Sequence, residues 1–140
     1  MEELLVFALL LCEGFDVEAE YGNRLDEMFL ENPTDEMLLD LECMSSNIKQ
    51  SVLHIIANFY FDDFDHYVFG KLLMIKLKKL YACTKIEVFA RRMYSLWKRL
   101  PDNISCQQPF HTLSYADDPL SWGDEKQTRE LYEDMLNYYE

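Results

Sequence analysis

The segment Phe59–Phe69 sets Asp62, Asp63, Asp65 and His66 among Phe and Tyr residues, and these side chains could offer oxygen and nitrogen ligands to a metal. Asp63 and His66 stand three apart, on one face if the segment is helical. A carboxylate-bridged di-iron bundle, however, needs two Glu-x-x-His pairs, and a calcium loop needs alternating ligands, a central Gly and a terminal Glu. Neither pattern occurs. Cys106 and His111, five residues apart, could pair as nucleophile and base, but such chance pairs are common. There is no Gly-x-Ser-x-Gly and no Gly-rich phosphate loop. His54 falls beside an apolar stripe, where a histidine is usually structural. Neither catalysis, a metal nor a cofactor is expected.

The residues that could do chemistry of another kind are carboxylates set beside aromatics. Asp16, Glu18 and Glu20 alternate in a short segment. Asp62, Asp63 and Asp65 neighbour Tyr67. Asp117, Asp118, Asp124 and Glu125 flank Trp122. Many surface carboxylates only solvate a helix, as Asp35 and Glu42 would opposite their apolar stripe. Carboxylates beside exposed aromatics are different: charge steers a basic partner in, and the ring supplies the buried anchor. These twelve residues form the candidate partner-binding set.

Charge is sorted along the chain. Residues 1–70 carry a net −14, residues 71–99 a net +8 and residues 100–140 a net −7, for −13 overall. That total disfavours nucleic acid and anionic membrane as partners and favours a basic protein. The basic block has two readings. Arg91, Arg92, Lys98 and Arg99 with Tyr94 could form a nucleic-acid groove, or they could balance the acidic helices. The second is preferred, giving a molecule with a negative and a positive pole.

The elements that must hold these residues are helical. Gly and Pro number 4 each, too few for a many-stranded fold. The apolar run Leu4–Leu11 follows Glu2 and Glu3 rather than Lys or Arg, which fits a buried first helix, Glu2–Cys12, better than a signal peptide. A second helix is expected over Val17–Glu31, stopped at Asn32-Pro33. Thr34 is the expected N-cap of the next. Met37, Leu41, Met44, Ile48, Val52, Ile55 and Phe59 then form one stripe, on one helix or on two broken at Ser45-Ser46-Asn47. A turn is expected at Asp62-Asp63, then a helix from near Phe64 to Cys83. Thr84 and Glu87 match a capping box for a helix with Ile86, Phe89, Ala90, Met93, Trp97 and Leu100 inward, ended by Pro101. A long irregular connection should cover 101–122, packed down by Phe110, Leu113, Tyr115, Leu120 and Trp122. A last helix should span Asp124–Tyr139. The expectation is all-α: a single helical domain over 1–140, a bundle of six or seven helices with one long loop. Cys12, Cys43, Cys83 and Cys106 lack metal spacing, and the thiols should act mostly as small hydrophobes in a reducing, cytoplasmic compartment.

The stretch Glu31-Asn32-Pro33-Thr34-Asp35-Glu36-Met37-Leu38-Leu39-Asp40-Leu41-Glu42 resembles a segment of small, acidic, helical immunity proteins of bacterial polymorphic toxin systems, including contact-dependent growth inhibition. Size, acidity and helical content are similar too. The resemblance implies a cytoplasmic protein that binds and blocks one cognate toxin domain, often a nuclease. It transfers no binding residue. A nucleic-acid-mimicking inhibitor of a nuclease, of phage type, is the alternative.

Overall fold

Leu4 through Leu10 are all buried, so the first helix, α1 (Glu2–Cys12), is apolar on every side. A helix of this kind must be wrapped by others. The computed structural model describes residues 2–59 and 64–140, with the backbone alone at Phe59. Among these residues there are nine α-helices, a 3₁₀ turn and no strand, so the fold is all-α. Packing gathers the chain into two compact units, Met1–Phe64 and Asp65–Glu140.

In the first unit, α1 packs against α4 (Ile48–Phe59) and α2 (Glu18–Glu31), and α2 packs against α3 (Glu36–Cys43). Gly14, at φ 86°, ends α1. Phe15 N–H donates to Leu10 O and Gly14 N–H to Leu11 O, the paired bonds that a left-handed glycine permits. Phe15 then turns back into the core, 4% exposed. Phe7 meets Tyr21 edge-on at 5.9 Å, and Arg24 Nε bonds Glu3 at 2.8 Å, so α2 is held to α1 by a ring and an ion pair.

The helix after Pro33 starts one residue later than expected. Asp35, not Thr34, is its N-cap, accepting from Leu38 N–H at 3.1 Å. Its stripe is carried by two helices, since residues 44–47 turn. Asn47 Oδ1 accepts from Gln50 N–H, and the fully buried Ser51 donates its hydroxyl to Met44 O or Asn47 O. Of the stripe, Leu41, Val52 and Ile55 are buried, whereas Met37, Met44 and Ile48 are only half-buried. The Phe59 side chain lies outside the described residues, as does the turn expected at Asp62-Asp63.

In the second unit, α5 (His66–Cys83) begins two residues after Phe64, because Asp65 caps it. α6 (Ile86–Arg99) begins one residue later than a Thr84 cap requires. Lys85 occupies the cap position without a side-chain bond, so Glu87 falls one place early for a reciprocal box. Leu96 fills the core where Trp97 was expected; Trp97 sits at the edge and donates its indole N–H to Ser105 O at 2.9 Å.

The expected long loop is three short turns: α7 (Asp102–Ser105), the 3₁₀ turn Phe110–Ser114 and α8 (Asp118–Ser121). Phe110 and Leu113 are buried as expected, but Trp122 is 68% exposed and packs nothing down. Pro119 lies in the first turn of α8, where its missing N–H costs nothing. The last helix, α9 (Glu125–Leu136), starts one residue later and ends three earlier than expected.

Phe89, Tyr132 and Tyr81 form the aromatic centre of this unit, with Phe89 edge-on to both rings at 5.1 and 5.2 Å. Gly70 allows a close approach that no other residue would. A Cβ there would collide with the Tyr139 hydroxyl and come within 2.9 Å of the Phe110 ring. None of the four cysteines is in a disulfide. Cys43, Cys83 and Cys106 are exposed, so they are not the small core hydrophobes expected. They fall at or just past helix C-termini, and the thiols of Cys83 and Cys106 donate to carbonyls of the preceding turn.

Candidate functional site

The candidate carboxylates fall on both units. Asp16, Glu18 and Glu20 are exposed at the start of α2, where negative charge meets the positive helix end. Glu18 and Glu20 are two helical positions apart, so they point to different sides. Asp62 and Asp63 lie outside the described residues. Asp65, Tyr67, Asp117, Asp118, Trp122, Asp124 and Glu125 belong to the second unit.

There they divide into two groups at opposite ends of α9. Asp65 accepts from Tyr67 and Val68 N–H at 3.0 and 3.1 Å, so its carboxylate serves the α5 N-terminus. Tyr67, 59% exposed, meets Tyr139 edge-on at 5.4 Å, and Tyr139 meets Tyr138 at 5.1 Å. This tyrosine cluster sits just past the C-terminal end of α9. Asp117, Asp118, Trp122, Asp124 and Glu125 cluster at its N-terminal end. Twelve residues of helix, roughly 18 Å at 1.5 Å per residue, separate the two.

At the α8–α9 turn the carboxylates are not equivalent. Asp124 caps α9, accepting from Gln127 N–H at 3.1 Å. Glu125 pairs with Arg129 at 2.9 Å. Asp118 is exposed; its carbonyl accepts from the Ser121 hydroxyl at 2.6 Å, and its carboxylate takes no hydrogen bond or ion pair among the described residues. Asp117 is half-buried, and its Oδ1 is buried without a hydrogen-bond partner. Burial, and secondarily the charge of Asp118, raises its carboxyl above the ordinary range. The turn is tied to α9: Gly123 takes φ 89°, and the buried Thr128 hydroxyl accepts from Leu120 N–H at 2.9 Å. Trp122 is thus an exposed ring on this turn, beside one exposed and one half-buried carboxylate.

Beside it lies a groove that sequence reasoning missed. One wall is α6, with Glu87, Ala90, Arg91 and Tyr94; the other is α8, with Asp117, Leu120 and Ser121; the space is about 300 Å³. Tyr94 is 37% exposed, stacks on Trp97 at 6.1 Å and has Lys98 Nζ 4.6 Å from its ring centre. The spacing Glu87, Arg91, Tyr94, Lys98 marks one outward stripe of α6, but nothing in it announces α8 as the opposite wall. Lys71, Lys78, Lys79, Arg91, Lys98 and Arg99 are exposed on α5 and α6, and Lys78 pairs with Glu140 at 2.9 Å.

Of the groups considered as metal ligands, Asp62 and Asp63 lie outside the described residues and Asp65 caps α5. Among the described residues no three metal-ligating side chains converge. The Cys106 thiol bonds Asp102 O at 3.2 Å, and the His111 ring packs on Tyr115 at 5.5 Å, so this pair does not meet as nucleophile and base. No helix among the described residues is long and apolar enough to cross a membrane. Compared with known proteins, the chain matches no family model, no curated protein and no solved structure.

Proposed function

We propose that this chain is an immunity- or antitoxin-type inhibitor. It binds a cognate toxin domain, a basic protein of the RNase class, through the acidic-aromatic surface at the α8–α9 turn. The reading rests chiefly on Trp122, 68% exposed on a turn tied to α9 with Asp117 and Asp118 beside it. An exposed tryptophan with uncommitted carboxylates around it is what a hot spot for a cationic surface requires. The inhibitor acts by occupying the toxin's cationic cleft and carries out no reaction of its own.

The test is capture of the partner with the full chain as bait in the native host, followed by co-expression. The expected partner is basic, binds one to one, and loses toxicity when this chain is present. Its association rate should fall about tenfold or more from low to high salt, as charge-steered encounters do. An acidic partner, or an association rate indifferent to salt, overturns the reading. A toxin gene beside this one, rather than a phage early operon, separates an immunity protein from a phage-type nucleic-acid mimic.

A second reading has its own observation. The outward stripe of α6 places Arg91, Tyr94 and Lys98 together, and cations beside an exposed ring can bind single-stranded nucleic acid. A gel shift at low salt tests it, and absence of binding there removes it.

A further inference from the structure

We infer that this chain associates head to tail with a second copy of itself, the lysine-flanked apolar face of α5 in one copy meeting the acidic, leucine-bearing faces of α2 and α3 in the other. α5 is apolar on two sides. Phe69, Leu73 and Leu77 are wholly buried, whereas Val68 is 38% and Ile75 48% exposed. A helix that turns one face to water normally carries polar residues there. Here Val68, Lys71, Ile75 and Lys79 follow at spacings of three, four and four, which sets them on one outward stripe, roughly 16 Å long at 1.5 Å per residue. Lys71 and Lys79 are exposed, and neither ammonium group is held in an ion pair among the described residues. Lys71 Nζ lies 6.0 Å from the Tyr67 ring, at the limit of a cation–π contact.

The converse pattern stands on the first unit. Leu30 of α2 is 79% exposed and Leu39 of α3 47%. Asp26 is four residues before Leu30 and Glu36 three before Leu39, so each leucine shares its helix face with an exposed carboxylate. The first unit carries only two cations, Arg24 and Lys49, and Arg24 is committed to Glu3 and Glu27. Apolar side chains rimmed by lysine fit apolar side chains rimmed by carboxylate, and one chain displays both. Charge orients the encounter, and covering the four apolar side chains supplies the contact. The two faces differ, so the contact is heterologous. Each copy keeps one face open, and assembly continues into a ring or an open chain.

Sedimentation velocity on the full chain, from about 10 µM to 1 mM, tests this. At low salt the sedimentation coefficient should rise with concentration past that of a dimer. Salt near ~1 M, where the screening length is about 3 Å, should return most of the chain to monomer. Two variants then identify the faces. Lys71→Glu with Lys79→Glu keeps the leucine faces and loses the basic one, and Leu30→Gln with Leu39→Gln does the reverse. All four positions are exposed, and circular dichroism melting checks that each variant keeps its fold. Each variant alone should associate about tenfold more weakly than the parent chain. Mixed one to one, they should form a dimer that grows no further, because one working face of each kind remains. A parent chain that stays monomeric at ~1 mM, or association that salt leaves unchanged, overturns the inference without recourse to any variant. So does a mixture that associates no better than its components. Toxin binding at the α8–α9 turn uses other residues and is unaffected by either outcome.

Discussion

The carboxylate of Asp117 acts on the buried phenol of Tyr132. Asp117 Oδ1 and Tyr132 Oη are both buried, and neither takes a hydrogen bond. Burial lifts the Tyr132 phenol well above its usual range, and the charge of Asp117 lifts it further. The same burial lifts Asp117 above the ordinary value near 3.8. The chain thus holds an acid whose ionised form it stabilises poorly, on the wall of an open groove. Residues chosen for stability alone rarely leave a carboxylate so placed.

That relationship fixes a pH dependence. The folded state holds the Asp117 proton more tightly than the unfolded chain does. Stability linked to this group is therefore present below pH ~3.8 and lost as pH rises through the folded-state value. Asp117→Asn abolishes this loss. Melting curves should give similar midpoints for both proteins near pH 3 and a higher midpoint for the variant at pH 7. A difference that stays constant with pH would falsify the assignment.

Gly70 should tolerate no side chain. Its Cβ would strike Tyr139 and Phe110, and overfilling of this kind costs about 1–3 kcal/mol. Urea unfolding of Gly70→Ala measures it. Tyr139→Ala removes one of the two colliding groups, so the double variant should lose less than the sum of the single losses. Full additivity would show that Tyr139 is not the obstacle.

Gly22 behaves oppositely. It lies inside α2, and a Cβ there meets nothing within 4 Å. Gly22→Ala should stabilise the protein by about 0.5–1 kcal/mol through helix propensity and a less free unfolded chain. The readout is the denaturation midpoint; no gain would mean that α2 is not helical at this position in solution.

Trp122→Ala should separate stability from binding. The ring is mostly exposed, so its loss should change stability by no more than about 0.5 kcal/mol. Affinity for the basic partner should fall by at least ~2 kcal/mol, the scale of a hot-spot residue. Calorimetry on the captured complex decides it, and unchanged affinity would move the interface elsewhere on the chain.

Helix type was legible because its signals are local. Continuous apolar character in Leu4–Leu10 demanded burial on all sides, Gly14 supplied the left-handed stop, and Pro33 and Pro101 closed their helices through steric exclusion. Starts were less secure. Thr34 and Asp35 can both cap, as can a Thr84 box against an uncapped Lys85 start, and differences of one residue cost too little for propensity to decide. Segment 101–122 was read as a loop because four-residue helices have no periodicity of their own and cannot persist alone. They exist here through distant partners: Trp97 bonding Ser105, and Thr128 bonding Leu120.

The candidate site divides along the same line. By itself the sequence determined an acidic, aromatic-rich, all-helical chain with nine of its thirteen cations in 71–99, because composition and helical phase are properties of residues near one another. Only the tertiary structure decided what each carboxylate is committed to. Asp65 and Asp124 hold helix ends, Glu125 holds Arg129, the Asp118 carboxylate is exposed, and Asp117 lines one groove with Glu87 and Tyr94. Glu87 and Asp117 are thirty residues apart. Only the packing of the second unit, with Phe89 against Tyr132 at its centre, brings their helices together, because a groove is a relation between elements and no spacing within either one encodes it.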